Sequence, residues 1–292
     1  MGKAGKDRFC MKDPVEWRME LAEDIAKRLC TFNGMQAIVV GGSVARGCAD
    51  PGSDLDLFLF WDKMPEDGAR QEIAAALRAD LLFSRLEAAG ADRVVIQGFP
   101  VDLHHITVID AERWLQRVLQ EYDPAPEYSI FMEMIRTSVS LYGKQLVRTW
   151  KNRAALFPDE LALNYIQCSI GNYVHPDLEL MQKRGNPSAV YTYLVGQQQN
   201  VFHTLLGLNR SYFPSYKWMY HTLENMEIKP LDITGRFRAM FTNDPEEATA
   251  DMMAIIGETL SLIEYTYPQI DLALTRIRIS YARQIWEDPI YL

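Results

Sequence analysis

The chain has 292 residues, of which 48% are hydrophobic and 24% charged, with a formal net charge of −9; that length carries one large domain or two smaller ones with ordinary soluble cores. The acidic balance argues against a surface for long nucleic acid, which needs a basic stripe, and suits a nucleotide held through metal beside a cationic second substrate. Cys10, Cys30, Cys48 and Cys168 form no C-x-x-C pair, so no zinc site is expected and the thiols read as reduced groups of a cytoplasmic protein.

Met1 to Lys6 are basic but lead into no apolar stretch of the signal-peptide kind, and Gly2 lacks the Ser or Thr that myristoylation favours. No apolar run is long enough to cross a membrane, so no membrane partner is expected. Residues 14–30 read as an amphipathic helix, with Pro14 in the first turn and Val15, Met19, Ala22, Ile25, Ala26 and Leu29 at helical spacing; Asn33-Gly34 ends it. A strand is expected at 37–40, a short helix or turn at 43–47 and a second strand at 55–61. A long helix over 66–89, with Ile73, Leu77, Leu81 and Leu86 inward, stops at Gly90. Strands at 93–97 and 101–109 form a hairpin around Gly98-Phe99-Pro100.

Beyond Asp110 the period is helical nearly throughout, over 111–121, 127–141, 143–156, 159–174, 177–184, 188–208, 217–226, 245–267 and 270–286. A mixed α/β part followed by an all-α part implies two domains, and Tyr122-Asp123-Pro124-Ala125-Pro126 breaks the periodicity between them. The expected division is 1–122 and 123–292.

The chemistry concentrates near the first strand. Val39-Val40 runs into Gly41-Gly42-Ser43, and after ten residues Ser53-Asp54-Leu55-Asp56 opens the next strand. Gly41 and Gly42 permit close backbone approach, and Ser43 offers a hydroxyl and an amide where a helix start favours an anion. Arg46 reads either as a phosphate contact or as a surface arginine. Asp54 and Asp56 point the same way from one strand and repel each other unless a cation sits between them. Asp102 interrupts an otherwise apolar strand, which places it at a site or in a pair. Should its strand lie beside that of Asp54 and Asp56, three carboxylates converge, enough for two Mg²⁺ ions with one bound through nucleotide phosphates. His104 shares the face of Asp102 and is either its partner or structural; His105 points to the core.

Gly42, Ser43, Asp54, Asp56 and Asp102, in this order and spacing, resemble the nucleotidyltransferase superfamily related to DNA polymerase beta. The resemblance implies an α+β chain: an N-terminal nucleotidyltransferase α/β domain with a mixed sheet, and a C-terminal all-α helical bundle. It implies Asp54, Asp56 and Asp102 as metal ligands and catalytic acids, two Mg²⁺ ions, and ATP as donor. An acceptor hydroxyl or amine, deprotonated by Asp102 or by a Glu such as Glu127 or Glu133, attacks the α-phosphorus and pyrophosphate leaves.

The helical half resembles that of small-molecule nucleotidyltransferases, including aminoglycoside and lincosamide adenylyltransferases. Leu208-Asn209-Arg210-Ser211-Tyr212-Phe213-Pro214-Ser215-Tyr216-Lys217 is similar to a segment of bacterial proteins in that superfamily. Arg210 and Lys217 are candidate nucleotide contacts, with Tyr212 or Tyr216 stacking on a base; the alternative is a packed corner with snorkelling cations. The expected activity is adenylyl transfer to a small molecule, an antibiotic among the candidates. The competing readings are a protein-modifying nucleotidyltransferase of the minimal toxin–antitoxin type, and a nucleotide-binding regulatory module without turnover.

Overall fold

A computed structural model describes residues 13–83, 90–175 and 177–281. The chain divides into two compact units, Met1–Arg117 with Phe131–Leu156, and Val118–Ile130 with Phe157–Leu292. The sequence suggests a single cut at 122/123; by contacts the chain passes between the units at 117/118, 130/131 and 156/157, the first two inside helices, and residues 131–156 group with the strands.

In the first unit, Asp13 accepts a hydrogen bond from Val15 N and Pro14 fills the first turn, so helix α1 (Pro14–Leu29) begins where its cap requires. Strand β1 (Met35–Val40) leads into the single-turn α2 (Gly42–Ala45) and then β2 (Leu55–Trp61). Helix α3 (Asp67–Leu77) is followed by β3 (Asp80–Phe83), β4 (Ala91–Ile96) and β5 (Phe99–Thr107). Helix α4 (Val108–Leu119) starts in this unit; α5 (Pro126–Thr137) ends in it, ahead of β6 (Val139–Tyr142) and α6 (Lys144–Ala154).

The six strands form one mixed sheet in the order β3-β4-β5-β2-β1-β6, in which β2 and β5 run parallel and every other pair antiparallel. Alternation along β2 sends Leu55, Leu57 and Leu59 to one face, where they pack with Val101 and Leu103 of β5 and with Ala22, Ile25, Leu29, Ile73 and Leu77 from α1 and α3. The opposite face carries Asp56, Phe58 and Phe60. Phe60 meets Trp150 at 4.8 Å between ring centres and Phe131 at 6.4 Å, and Trp114 meets Phe131 at 5.0 Å. Aromatic packing thus closes one end of that face, while the aspartates at the other end stay partly open.

Three expectations are corrected. The helix expected over 66–89 ends at Leu77 because Arg78 turns left-handed (φ 53°), and Leu81 pairs with Val94 in the sheet; residues 84–89 lie outside the described residues. The helix expected over 127–141 ends at Thr137, where the Thr137 and Ser138 hydroxyls donate back to the carbonyls of Glu133 and Ile135, and residues 139–142 instead pair with β1. The final helix is α13 (Ala273–Ser280), and residues 282–286 of the expected one lie outside the described residues.

In the second unit the main helices are α7 (Asp159–Ile170), α8 (Leu178–Lys183), α9 (Pro187–Leu208), α10 (Met219–Asn225), α11 (Ile233–Ala239) and α12 (Pro245–Thr266), preceding α13. Gly207 lets α9 approach α7 closely, since a Cβ there would stand 2.9 Å from the Ala162 carbonyl. Buried hydroxyls are paired: Tyr173 Oη with Thr204 Oγ1 at 2.7 Å, and Ser129 Oγ with Tyr165 Oη. Among the described residues no helix is long and apolar enough to cross a membrane.

Candidate active site

Strand geometry assembles the acids. Asp54 immediately precedes β2 and Asp56 lies within it, and parallel pairing sets Asp56 directly beside Asp102 of β5. All three point away from the α1–α3 core, because Leu55, Leu57, Val101 and Leu103 between them point into it.

The Gly41–Ser43 turn is tied to the same strand. Gly41 N donates to the Asp56 carbonyl at 3.0 Å. Gly42 has φ 60°, a conformation glycine takes at no steric cost, and a Cβ on it would run into Asp56 Oδ2. Ser43 is buried, and its carbonyl accepts from Cys48 N at 3.0 Å, which closes the turn. The turn and the carboxylates are therefore neighbours.

Two residues that sequence reasoning missed hold the site's edges. Arg93 stands opposite Asp102 in the β4–β5 register; its Nε donates to Asp102 Oδ1 at 2.6 Å and its Nη2 to Asp102 Oδ2 at 2.5 Å, with Asp54 Oδ2 at 3.4 Å. Hydrogen bonding to Asp102, then the charges of Asp102, Asp54 and Asp56, raise the Arg93 guanidinium above its ordinary value despite its desolvation. Arg18, on α1, is 1% exposed and donates to the Ser53 carbonyl through Nε at 3.0 Å and Nη2 at 2.7 Å. It pins the loop that delivers Asp54. Neither carried a sequence signal: a hairpin around Gly98-Phe99-Pro100 does not set Arg93 opposite Asp102, and Arg18 is one more polar residue on an amphipathic helix.

His104 stacks on Phe58 at 4.4 Å, and its Nε2 lies 3.6 Å from Asp56 Oδ1, beyond hydrogen-bond range. His105 faces the other side. There Trp61 Nε1 donates to His105 Nδ1 at 3.1 Å, which leaves the proton on Nε2 to donate to Asp92 Oδ2 at 3.1 Å. Asp92 Oδ1 accepts from Arg70 Nη1 at 2.9 Å. Burial pushes the His105 imidazole below its ordinary value, against the pull of Asp92.

The remaining candidates are distributed. Arg46 Nη1 sits 3.2 Å from Glu133 Oε1, and Glu133, itself buried, also takes Arg136 Nε at 2.8 Å and Nη2 at 2.9 Å. Glu133 is thus held in place by two guanidinium groups. Glu127 is exposed and lies in the second unit. Arg210 and Lys217 also belong to the second unit: Arg210 pairs with Asp159, and Lys217 is exposed in a single 3₁₀ turn. Tyr212 is buried against Phe157 at 4.9 Å and offers no face for stacking, whereas Tyr216 is exposed with its hydroxyl 3.0 Å from His203 Nε2.

Whether the acids suit a divalent ion is answered by the cation already among them. The Arg93 guanidinium is lodged at Asp54 and Asp102, and oxygen-only donors are what a hard ion such as Mg²⁺ takes. Among the described residues no group of three or more His, Cys, Asp and Glu side chains is gathered for a metal, and both Asp102 oxygens accept from Arg93. The donor set fits; the side chains are not yet arranged.

Comparison with known proteins agrees with the geometry. Residues 22–125 match the nucleotidyltransferase domain family, and residues 122–219 match a domain of unknown function (DUF4037). Gly42, Ser43, Asp54, Asp56 and Asp102 all fall within the stretch that matches the nucleotidyltransferase domain family. No curated protein matches the chain. Similar solved structures include a nucleotidyltransferase-like protein from Exiguobacterium sibiricum 255-15, with 12% identity, 84% of this chain and 76% of that chain covered, and TM-score 0.40. Another is the E. coli MS115-1 CdnC:HORMA-deltaN complex, with 10% identity, 92% and 91% covered, and TM-score 0.28. At those scores neither assigns a substrate.

Proposed function

We propose that the chain transfers AMP from ATP to a hydroxyl or amine of a small, cationic acceptor, with release of pyrophosphate. The observation that carries this reading is the register of Asp56 beside Asp102, with Asp54 one step away and Gly42 against Asp56. Asp54, Asp56 and Asp102 would hold the divalent cation, Mg²⁺ by donor chemistry. When bound, that ion supplies neutralisation of triphosphate charge and polarisation of the reacting phosphate.

The rest is the work of the chain. Gly42 leaves no side chain between the turn and Asp56, so a phosphate can approach the backbone amides and the Ser43 hydroxyl. Glu133 holds Arg46 at the same unit's surface, where its guanidinium can take a phosphate oxygen. Asp102 is the acid we assign to take the acceptor's proton, because the strand register sets it beside Asp56. The net charge of −9 favours encounter with a cationic acceptor such as an aminoglycoside.

The test is incubation of the protein with labelled ATP, Mg²⁺ and panels of aminoglycosides, lincosamides and proteins. Pyrophosphate release that requires a small acceptor supports the reading. Label appearing on a protein, or tight nucleotide binding with no release, overturns it. Asp56→Ala is expected to abolish transfer with the circular dichroism unchanged, and substantial turnover in that variant refutes the assignment of Asp56.

A further inference from the structure

We propose that Arg93 is a resident counter-cation of the acidic cluster, a guanidinium that must leave Asp54 and Asp102 before a divalent ion can enter. The inference rests on the reading of Asp54, Asp56 and Asp102 as metal ligands. Three carboxylates at adjacent positions of two paired strands repel one another, and a fold without a cation among them loses stability. The structure supplies that cation from the next strand. The β4–β5 register puts Arg93 opposite Asp102, and the planar fork takes both Asp102 oxygens while Nη2 reaches Asp54.

The arrangement is asymmetric in exposure. The Asp102 side chain is 13% exposed and that of Arg93 36%. Asp102 is fixed through its backbone in β5, while the guanidinium is the more exposed partner, on the solvent side. Both Asp102 oxygens are consumed by Arg93, so an ion that uses Asp102 competes with two charge-assisted hydrogen bonds as well as with a positive charge. Arg93 thus keeps the metal-free protein neutralised and lowers its affinity for bare cations.

The experiment measures Mn²⁺ binding to the full chain without nucleotide, by the paramagnetic resonance signal of free Mn²⁺, together with metal-free thermal unfolding. Arg93→Gln removes the competitor and is expected to bind Mn²⁺ roughly two- to fivefold more tightly than wild type, the worth of a part-exposed ion pair. Its metal-free melting temperature is expected to fall, and Mn²⁺ to restore it. Arg93→Lys keeps a charge but loses the fork, so a smaller gain in affinity is expected; it carries the test alone if Arg93→Gln does not fold. Equal or weaker Mn²⁺ binding by the folded variant overturns the proposal, since it would make Arg93 an organiser of Asp102. Asp56→Asn separates the two levels. If it abolishes wild-type Mn²⁺ binding while Arg93 substitution changes nothing, only this inference falls. If wild type and Asp56→Asn bind Mn²⁺ alike, or none of the proteins binds it, the metal reading falls and this inference with it.

Discussion

Replacing Arg18 by Met removes the tether of the loop that presents Asp54. Arg18 is 1% exposed, and its guanidinium donates to the Ser53 carbonyl at 3.0 and 2.7 Å, to Pro14 at 2.9 Å and to Pro51 at 3.4 Å. It also lies 4.3 Å from the Trp17 ring centre and 5.2 Å from that of Phe99, which links α1 to the start of β5. Methionine keeps the apolar stem and its packing, so the loss is confined to the charged donors. Hydrogen bonds from a charged group contribute about 1.5–3 kcal/mol each, and the partly exposed loop carbonyls can turn to water, so the net cost is about 2–4 kcal/mol. The lower figure corresponds to roughly thirtyfold faster local opening. Hydrogen–deuterium exchange resolved over residues 50–56 is the assay, because two units make a single unfolding free energy ill-defined. The expected outcome is accelerated exchange there, with β1 unchanged and weaker Mn²⁺ binding. Unaltered exchange at Ser53 and Asp54 would falsify the claim that Arg18 holds the loop.

Other outcomes follow from single contacts. Gly42→Ala places a methyl group against Asp56 at φ 60°, so transfer is expected to be lost while the far-ultraviolet spectrum is kept, at a stability cost of about 1–2 kcal/mol; normal activity in that variant would contradict the close approach of turn and acid. Asp92→Asn leaves Arg70, 3% exposed, without its buried carboxylate, and urea unfolding of the first unit is expected to show a loss of about 3–5 kcal/mol. Burial holds the His203 imidazole down to about 4, against an ordinary 6.5, so the unfolded chain takes up that proton first. Stability of the second unit should therefore fall as the pH drops from 6.5 towards 4, by about 2 kcal/mol once partial exposure is allowed for. His203→Phe should flatten that slope, and an identical pH profile would show that other groups cause it.

Local pattern was enough for much of the site. Alternation of Leu55, Leu57 and Leu59 with Asp56 and Phe58 already places Asp54 and Asp56 on one face, and an acid within the apolar run 99–108 marks Asp102. Gly41-Gly42-Ser43 announces a turn that needs room. These are properties of residues a few positions apart, and they survive folding because a strand's two faces are set by its own backbone. Pairing is different. The hairpin reads from sequence as centred on Gly98-Phe99-Pro100, but Gln97 and Gly98 both take positive φ (52° and 86°), and the resulting two-residue turn pairs Ile96 with Phe99 and Arg93 with Asp102. A slip of one residue would have moved Arg93 to the other face.

Residues 80–83 and 139–141 read as continuations of helices because their apolar spacing fits either period, and only a waiting sheet edge makes them strands. Arg18 looks like any polar residue of an amphipathic helix until a loop more than thirty residues away lays its carbonyls against it. Composition and spacing therefore dictated which residue types could act and which way each strand would present them. Which strand lies beside which, what stands opposite each acid, and which cation neutralises the cluster were decided by contacts between distant segments, whose register no local periodicity encodes.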